Sequence, residues 1–236
     1  MLVKRIGNIC ENIKLIKNTI NAVKRGSGTV DVMAVTKSFS CHDAIEALKC
    51  GIEHIGESKI QEALPKFTQL GISLNSVTKH FIGHLQSNKI KKVVENFDLI
   101  HSLDNIKYAC DINRYASSVG KVQDCLIEVK VSKEATKIGV NPDNVKDFYR
   151  QCQSIPNILI KGLMVITPYS DNSEHSRVHF MKVRSLFEDI RASVGNSCFN
   201  TLSMGMSGDY KIAVQEGATV VRIGSAIFGE RNYEDR

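Results

Sequence analysis

Residues 201–210 read Thr-Leu-Ser-Met-Gly-Met-Ser-Gly-Asp-Tyr, and residues 218–229 read Ala-Thr-Val-Val-Arg-Ile-Gly-Ser-Ala-Ile-Phe-Gly. Two short apolar runs, 201–206 and 219–224, predict buried strands. Each ends in small residues and Ser: Gly205, Ser207 and Gly208 after the first, Gly224 and Ser225 after the second. A helical segment follows each. Gly allows backbone N–H groups to approach an anion closely, Ser adds hydroxyl donors, and a helix N-terminus carries positive partial charge. Two such ends on neighbouring strands would make a phosphate cup of the kind built after the seventh and eighth strands of a TIM barrel. Two ordinary strand-to-helix turns would have the same composition, so the rest of the chain has to decide.

Working outward, the same unit recurs. Leu2, Ile6, Ile9, Ile13, Ile16, Ile20 and Val23 fall at spacings of three and four, which predicts an amphipathic N-terminal helix, with Gly26-Ser-Gly28 ending it. Strands are expected at 30–36, 53–57, 79–83, 99–103, 124–131 and 160–166. Helices are expected at 41–50, 58–69, 86–95, 104–118, 142–152 and 173–193, with Asp104 as an N-cap and Pro142 in a first turn. With the two runs above, that makes eight strands, each followed by a helix or helical turn. Alternation of this kind implies a parallel sheet, and eight units imply closure. The expected fold is therefore α/β, a single (β/α)8 TIM-type barrel over 1–236, with the extra helix of 1–28 packed on it. An open doubly wound sheet would carry a Gly-rich fingerprint after its first strand; here Thr36-Lys37-Ser38 stands there instead. The polar loop 167–175 is the expected mobile rim.

Composition bounds the function. The chain has 236 residues, 42% apolar and 24% charged, enough for one buried core. The net charge is 31 − 25 = +6, with the basic residues spread over predicted helices. The Lys89, Lys91, Lys92 cluster reads as a solvated helix face, so no nucleic-acid partner is expected. Seven Cys, odd in number and without a Cys-x-x-Cys pair, argue for free thiols in a reducing cytosol. No apolar run reaches membrane-spanning length and no signal peptide precedes the first helix, so a cytoplasmic protein away from membranes is expected.

In a barrel the C-terminal strand ends share one mouth. Lys37 ends the first strand there, and Arg222 lies two residues before Gly224, on the same face of its strand. A Lys at a strand end is ordinarily a solvated charge. Across a mouth from a phosphate cup, an amine in a dry pocket could attack a carbonyl. A molecule with an aldehyde at one end and a phosphate at the other would bridge the two: pyridoxal 5′-phosphate, or the sugar phosphates of aldolases. A guanidinium cannot readily give up its proton, so Arg222 against a pyridine nitrogen would leave that nitrogen unprotonated and weaken the cofactor as an electron sink. A structural Arg paired with a carboxylate remains the alternative.

At this point the residues match a family. Met33-Ala-Val-Thr-Lys37, Ile55-Gly-Glu57, His80-Phe-Ile-Gly83, Leu85-Gln-Ser-Asn-Lys89, Gly162-Leu-Met164, Leu202-Ser-Met-Gly-Met-Ser207 and Val221-Arg-Ile-Gly-Ser-Ala-Ile-Phe-Gly229 occur in the order and spacing of the YggS/PROSC family of pyridoxal-phosphate homeostasis proteins, which the chain resembles to about residue 233. The resemblance implies a barrel similar to the N-terminal domain of alanine racemase. It implies pyridoxal 5′-phosphate as cofactor, a Schiff base on Lys37, and phosphate contacts from Ser203, Gly224 and Ser225 with help from Ser207. It also implies Arg222 on the ring nitrogen, and buffering or delivery of the cofactor without established turnover. Apo pyridoxal-phosphate enzymes would be the recipients, and a monomer is expected.

The chain departs from the family at three places. Ser58 replaces the usual Asn beside the cofactor, His84 replaces Pro, and Gly208 replaces the first of two acidic residues while Asp209 keeps the second. Met164, Met204 and Met206 read as barrel packing, though Met204 or Met206 could line the pocket. Lys137 reads as a surface Lys that could act as a second amine, and His80 as a hydrogen-bonded residue near the core. His175 and His179, spaced i, i+4, read as a solvated face, with no metal site expected. An amino-acid racemase of the same fold is the competing enzyme reading. Racemisation would need a second acid–base group, and only 11 residues follow Ser225.

Overall fold

The computed structural model describes residues 8–132, 138–195 and 198–230. Lys137 lies outside them, as do Leu2 and Ile6 of the expected N-terminal helix. Eight strands form one closed parallel barrel in sequence order, with the first paired to the last. They are β1 (Asp31–Val35), β2 (His54–Glu57), β3 (Thr78–Phe81), β4 (Leu99–Leu103), β5 (Gln123–Val129), β6 (Ile158–Val165), β7 (Thr201–Met206) and β8 (Val220–Ile223). Helix α1 (Ile9–Val23) precedes the barrel. Helices α2 (Cys41–Lys49), α3 (Ile60–Leu70), α4 (Ile90–Asn96), α5 (Ile106–Ser118), α6 (Val145–Gln153), α7 (His175–Val194), α8 (Tyr210–Gln215) and α9 (Ser225–Phe228) follow the strands in turn. The expected (β/α)8 architecture is the observed one.

Period-two alternation along the strands sorts side chains into two environments. Outward positions such as Ala34, Ile55, Phe81, Ile100, Ile127, Leu163, Leu202 and Ile223 meet the helices in the main core, which also takes Ile13, Ile16 and Ile20 from α1. Two small apolar groups are separate from that core. One is Met33, Val35 and Val220 with Ile82; the other is Leu99, Leu126 and Met164. The same strands also carry a third, polar set, His54, His80, His101, Ser203 and Arg222, joined to one another by hydrogen bonds.

Three expectations change in detail. Helix α1 begins at Ile9 because Asn8 caps it: Asn8 Oδ1 accepts from the Cys10 N–H and Glu11 closes a capping box. The cap of α5 is Asn105, whose Oδ1 accepts from Tyr108 N at 2.9 Å; Asp104 instead accepts from the Asn105 amide at 2.8 Å. The cysteines are not all free. Cys10 and Cys50 are joined in a disulfide, Cα to Cα 5.2 Å, because α1 packs on α2 and brings together residues 40 apart in sequence. Cys41, Cys110, Cys125 and Cys152 are free thiols. Among the described residues no helix is long and apolar enough to cross a membrane.

Candidate functional site

Lys37 sits in a tight turn that leaves β1. The Phe39 N–H closes it on the Thr36 carbonyl at 3.1 Å, and Ser38 takes φ 64, a left-handed conformation that usually goes to Gly or Asn. Ser38 is held there because its N–H donates to Glu62 Oε1 from α3. Beneath the turn, Lys66 Nζ donates to the Thr36 carbonyl at 2.7 Å and to Glu57 Oε1 at 2.6 Å, and Thr36 Oγ1 donates to the same Glu57 oxygen at 2.7 Å. Burial pushes the Glu57 carboxyl up, and the Lys66 ammonium works against that shift. The half-buried Lys37 thus rises from a backbone fixed on three sides.

The turn leans on the end of β8. Phe39 packs its ring on Phe228 of α9 with centroids 4.6 Å apart, and Asn12 of α1 donates to the Ile227 carbonyl at 2.9 Å. Gly224 is buried and Ser225 exposed at the start of α9. Ser207, at the end of β7, accepts from the Ala226 N–H at 3.2 Å, tying the two glycine-and-serine loops together. Gly205 has φ 87, and a Cβ there would stand 2.6 Å from the Ala213 Cβ, so only Gly lets α8 pack this close under the loop. Met206 is partly exposed at the mouth.

Arg222 is 5% exposed and carries its charge inside the barrel. Nη1 donates to the Ser203 carbonyl at 2.9 Å and to Ser203 Oγ at 2.7 Å, and Nη2 donates to the Val165 carbonyl at 2.8 Å. Burial pulls its pKa down to about 10, while Asp209 and Glu128 act the other way; it remains a cation at neutral pH. Among the described residues its hydrogen-bond partners are carbonyls and a hydroxyl, with no paired carboxylate. These bonds use three of the five N–H groups of a guanidinium, which leaves donors for an acceptor in the mouth.

Ser203 is fully buried and its hydroxyl is engaged by Arg222 on one side and by His101 Nδ1, at 3.1 Å, on the other. Its strand position faces into the barrel below the loop, beside Arg222. His101 Nε2 lies 2.8 Å from His80 Nδ1, and His80 Nε2 lies 3.0 Å from His54 Nδ1. His80 is hydrogen-bonded in the interior, as its sequence context suggests. Burial, with the neighbouring His54, pushes its pKa down to about 3; burial, His80 and Arg222 push His101 well below the usual imidazole range.

On the β5–β6 side of the mouth a cavity of about 280 Å³ is walled by Glu128, Lys130, Ser132, Ile138 and Ile166. Burial and the Asp104 charge push the Glu128 carboxyl up to about 7, with Arg222 pulling it back. Ser58 stands half-buried after β2, and its carbonyl fills the space a Cβ on Gly83 would need. The loop expected as a mobile rim is pinned at both ends: Thr167 Oγ1 and Ser176 Oγ each lie 3.0 Å from Asp209 Oδ2, whose other oxygen accepts from Met206 N at 2.7 Å. His175 bonds Ser170 Oγ at 2.9 Å.

The structure therefore gathers Lys37, Ser207, Gly224 and Ser225 around one side of the mouth, with Arg222 beneath it and Ser203 deeper still. Sequence reading missed Asp209 as a clamp, the Glu57–Lys66 pair, Glu128 and the three-histidine chain. Alternation on β2, β3 and β4 was the available signal for the last, since it turns His54, His80 and His101 inward.

Comparison with known proteins fits this frame. The family described as alanine racemase, N-terminal domain, matches residues 7–232. A protein of Aquifex aeolicus named pyridoxal phosphate homeostasis protein is 38% identical over 230 residues, covering 96% of this chain and all of that one. The chain belongs to the pyridoxal phosphate homeostasis protein family. The Escherichia coli relative of the same name is 30% identical and is covered in full by 98% of this chain. PipY of Synechococcus elongatus, solved with PLP bound, is 32% identical with a TM-score of 0.83, over 94% of this chain and all of that one. Alanine racemase of Clostridium difficile shares the fold at 15% identity and a TM-score of 0.68, matched over 58% of its length.

Proposed function

We propose that this chain binds pyridoxal 5′-phosphate reversibly through Lys37, and that it buffers the cofactor and passes it to apo enzymes in the cytoplasm without turnover of its own. The observation that carries this reading is Arg222. A cation inside the barrel, held by carbonyls and Ser203 and with donors to spare, suits the lone pair of a pyridine nitrogen. The Lys37 turn is packed beside the Gly224–Ser225 loop through Phe39 and Phe228, which suits a ligand held at both its carbonyl and phosphate ends. The bound form of PipY and the names of the relatives support the same ligand.

In this reading Lys37 supplies the amine, and Ser207, Ser225 and the backbone at Gly224 hold the phosphate. Arg222 faces the ring nitrogen, while Met206 and Ser58 border the ring. Bound pyridoxal phosphate supplies a carbonyl that amines capture and an electron-withdrawing ring. Arg222 keeps that ring nitrogen unprotonated, which suits storage. We read the protein as a monomer whose mouth recipients approach directly. The test is borohydride reduction of the loaded protein followed by peptide mapping. The pyridoxyl label is expected on Lys37, with loss of the visible absorption in Lys37→Ala. A label found chiefly on another lysine would overturn the assignment.

A further inference from the structure

A line of hydrogen-bonding groups runs through the barrel from Arg222 to the opposite end. It passes Ser203, His101, His80 and His54 at 2.7, 3.1, 2.8 and 3.0 Å, and Asp31 Oδ2 lies 3.8 Å beyond His54 Nε2. Asp31 and His54 occupy the first positions of β1 and β2, at the base, and are partly solvated; His80, His101 and Ser203 are buried.

Proton counting gives the line a direction. Arg222 can only donate, so Ser203 Oγ accepts from it. Among the described residues Oγ has one other partner, His101 Nδ1, so the hydroxyl proton goes there. A neutral imidazole that accepts at Nδ1 carries its proton on Nε2. His101 Nε2 therefore donates to His80 Nδ1, His80 Nε2 donates to His54 Nδ1, and His54 Nε2–H is aimed towards Asp31. Run the other way, Ser203 Oγ would take two donors and its own proton would be buried without a partner, at the cost of an unsatisfied polar group. Burial keeps both inner rings neutral, as this arrangement requires.

We propose that Ser203, His101, His80 and His54 form a one-directional hydrogen-bond relay that positions Arg222 against the ring nitrogen of bound pyridoxal phosphate. This rests on the reading of the site given above. In this proposal the four are positioning residues that act through Arg222. With Ser203 Oγ polarised by the proton it gives to His101, it is a better acceptor for Nη1, and the guanidinium plane is fixed with its remaining donors toward the mouth.

Two measurements test this. In protein without cofactor, long-range imidazole nitrogen–proton NMR spectra are expected to place the proton of His101 and of His80 on Nε2; a proton on His101 Nδ1 would overturn the direction. Binding is then compared between pyridoxal 5′-phosphate and 1-deaza-pyridoxal 5′-phosphate, which has carbon in place of the ring nitrogen. Ser203→Ala and His101→Leu are expected to weaken pyridoxal phosphate roughly tenfold, within the range of one hydrogen bond to a charged group, and to leave the deaza compound unchanged. His101→Gln, which keeps an acceptor and a donor, should recover most of the loss. Equal losses for both compounds would mean a merely structural role and would overturn the proposal; Ser203→Ala, which removes a single oxygen, gives this answer even where His101→Leu does not fold. Failure of the unaltered protein to bind either compound would instead overturn the reading of the site, and the tautomers would still be decided by NMR.

Discussion

Lys66 and Glu57 form a buried ion pair under the Lys37 turn, Nζ to Oε1 2.6 Å, with side chains 6% and 0% exposed. The pair joins α3 to the end of β2, and the same ammonium holds the Thr36 carbonyl. Removing one partner leaves the other uncompensated in the interior, a loss of about 3–5 kcal/mol, whereas apolar replacement of both is far milder. Lys66→Met should therefore destabilise strongly in urea titration, and Lys66→Met with Glu57→Leu should recover much of it. Additive losses in the double variant would show that the two side chains do not act as a pair.

Glu128 gives a pH signature. Its folded pKa of about 7 is raised from an ordinary value near 4.5, burial being the main cause. Between those values the native protein keeps a proton that the unfolded chain has released, so stability falls as pH rises through this window and the penalty is complete above about pH 7. Glu128→Gln should remove about 2–3 kcal/mol of that slope. Urea midpoints at pH 5 and pH 8 for both proteins measure it; identical slopes would place the raised pKa elsewhere.

The Cys10–Cys50 disulfide closes a loop of about 40 residues that contains β1 and the Lys37 turn. By chain entropy it contributes roughly 2–4 kcal/mol, and its reduction should lower the urea midpoint accordingly. Cys10 is exposed, so reductant can reach it. Alkylation without reductant should spare Cys10 and Cys50; labelling of Cys10 there would remove the bond from the native protein.

The fold was legible because barrel strands repeat one pattern, and their apolar runs and strand-end glycines are local features. The places of Lys37, Gly224 and Ser225 were legible for the same reason, since each follows within two residues of the end of its strand. What stayed hidden is what closure brings together. His101 and Ser203 are 102 residues apart, and Glu57 with Lys66 lie on different elements. Each residue alone has an ordinary explanation, and only the inward turn of one strand against another makes them partners. The contacts of Ser203 with Arg222 and His101 stay hidden in the sequence because its neighbours Gly205 and Ser207 lie in the strand-end loop. The α5 cap shifted by one residue because Asp104 and Asn105 are both good caps and backbone geometry chose the second.

The phosphate loops can be tested apart from Lys37. Charge-assisted bonds from N–H groups and hydroxyls should carry much of the affinity. Under the proposed reading, Gly224→Val puts a branched side chain where the backbone would approach the anion and should reduce binding strongly, while Ser225→Ala should cost about 1–3 kcal/mol. Pyridoxal lacking the phosphate should bind poorly to the unaltered protein and be insensitive to both changes. Equal affinity for pyridoxal and its phosphate in equilibrium dialysis would refute the cup.

Racemisation is the sharpest discriminator among functions on this fold. It removes a proton from one face of an α-carbon and returns one to the other, which needs two acid–base groups on opposite sides of the cofactor plane. In the proposed reading Lys37 would serve one face. For the other, Tyr169 is fully solvated on its loop, with its hydroxyl donating to Asp171 at 2.9 Å, and Tyr210 is buried at the start of α8. Neither is set as a second base over the mouth. In the proposed reading Arg222 would also disfavour build-up of negative charge on the ring by leaving the nitrogen unprotonated. Incubation with L-alanine or L-serine in deuterated water should therefore give no Lys37-dependent D-isomer over many turnovers, with Lys37→Ala as the control. Slow α-deuterium uptake with retained configuration would fit a single base at Lys37. Sustained D-isomer formation abolished by Lys37→Ala would overturn the storage reading in favour of a racemase.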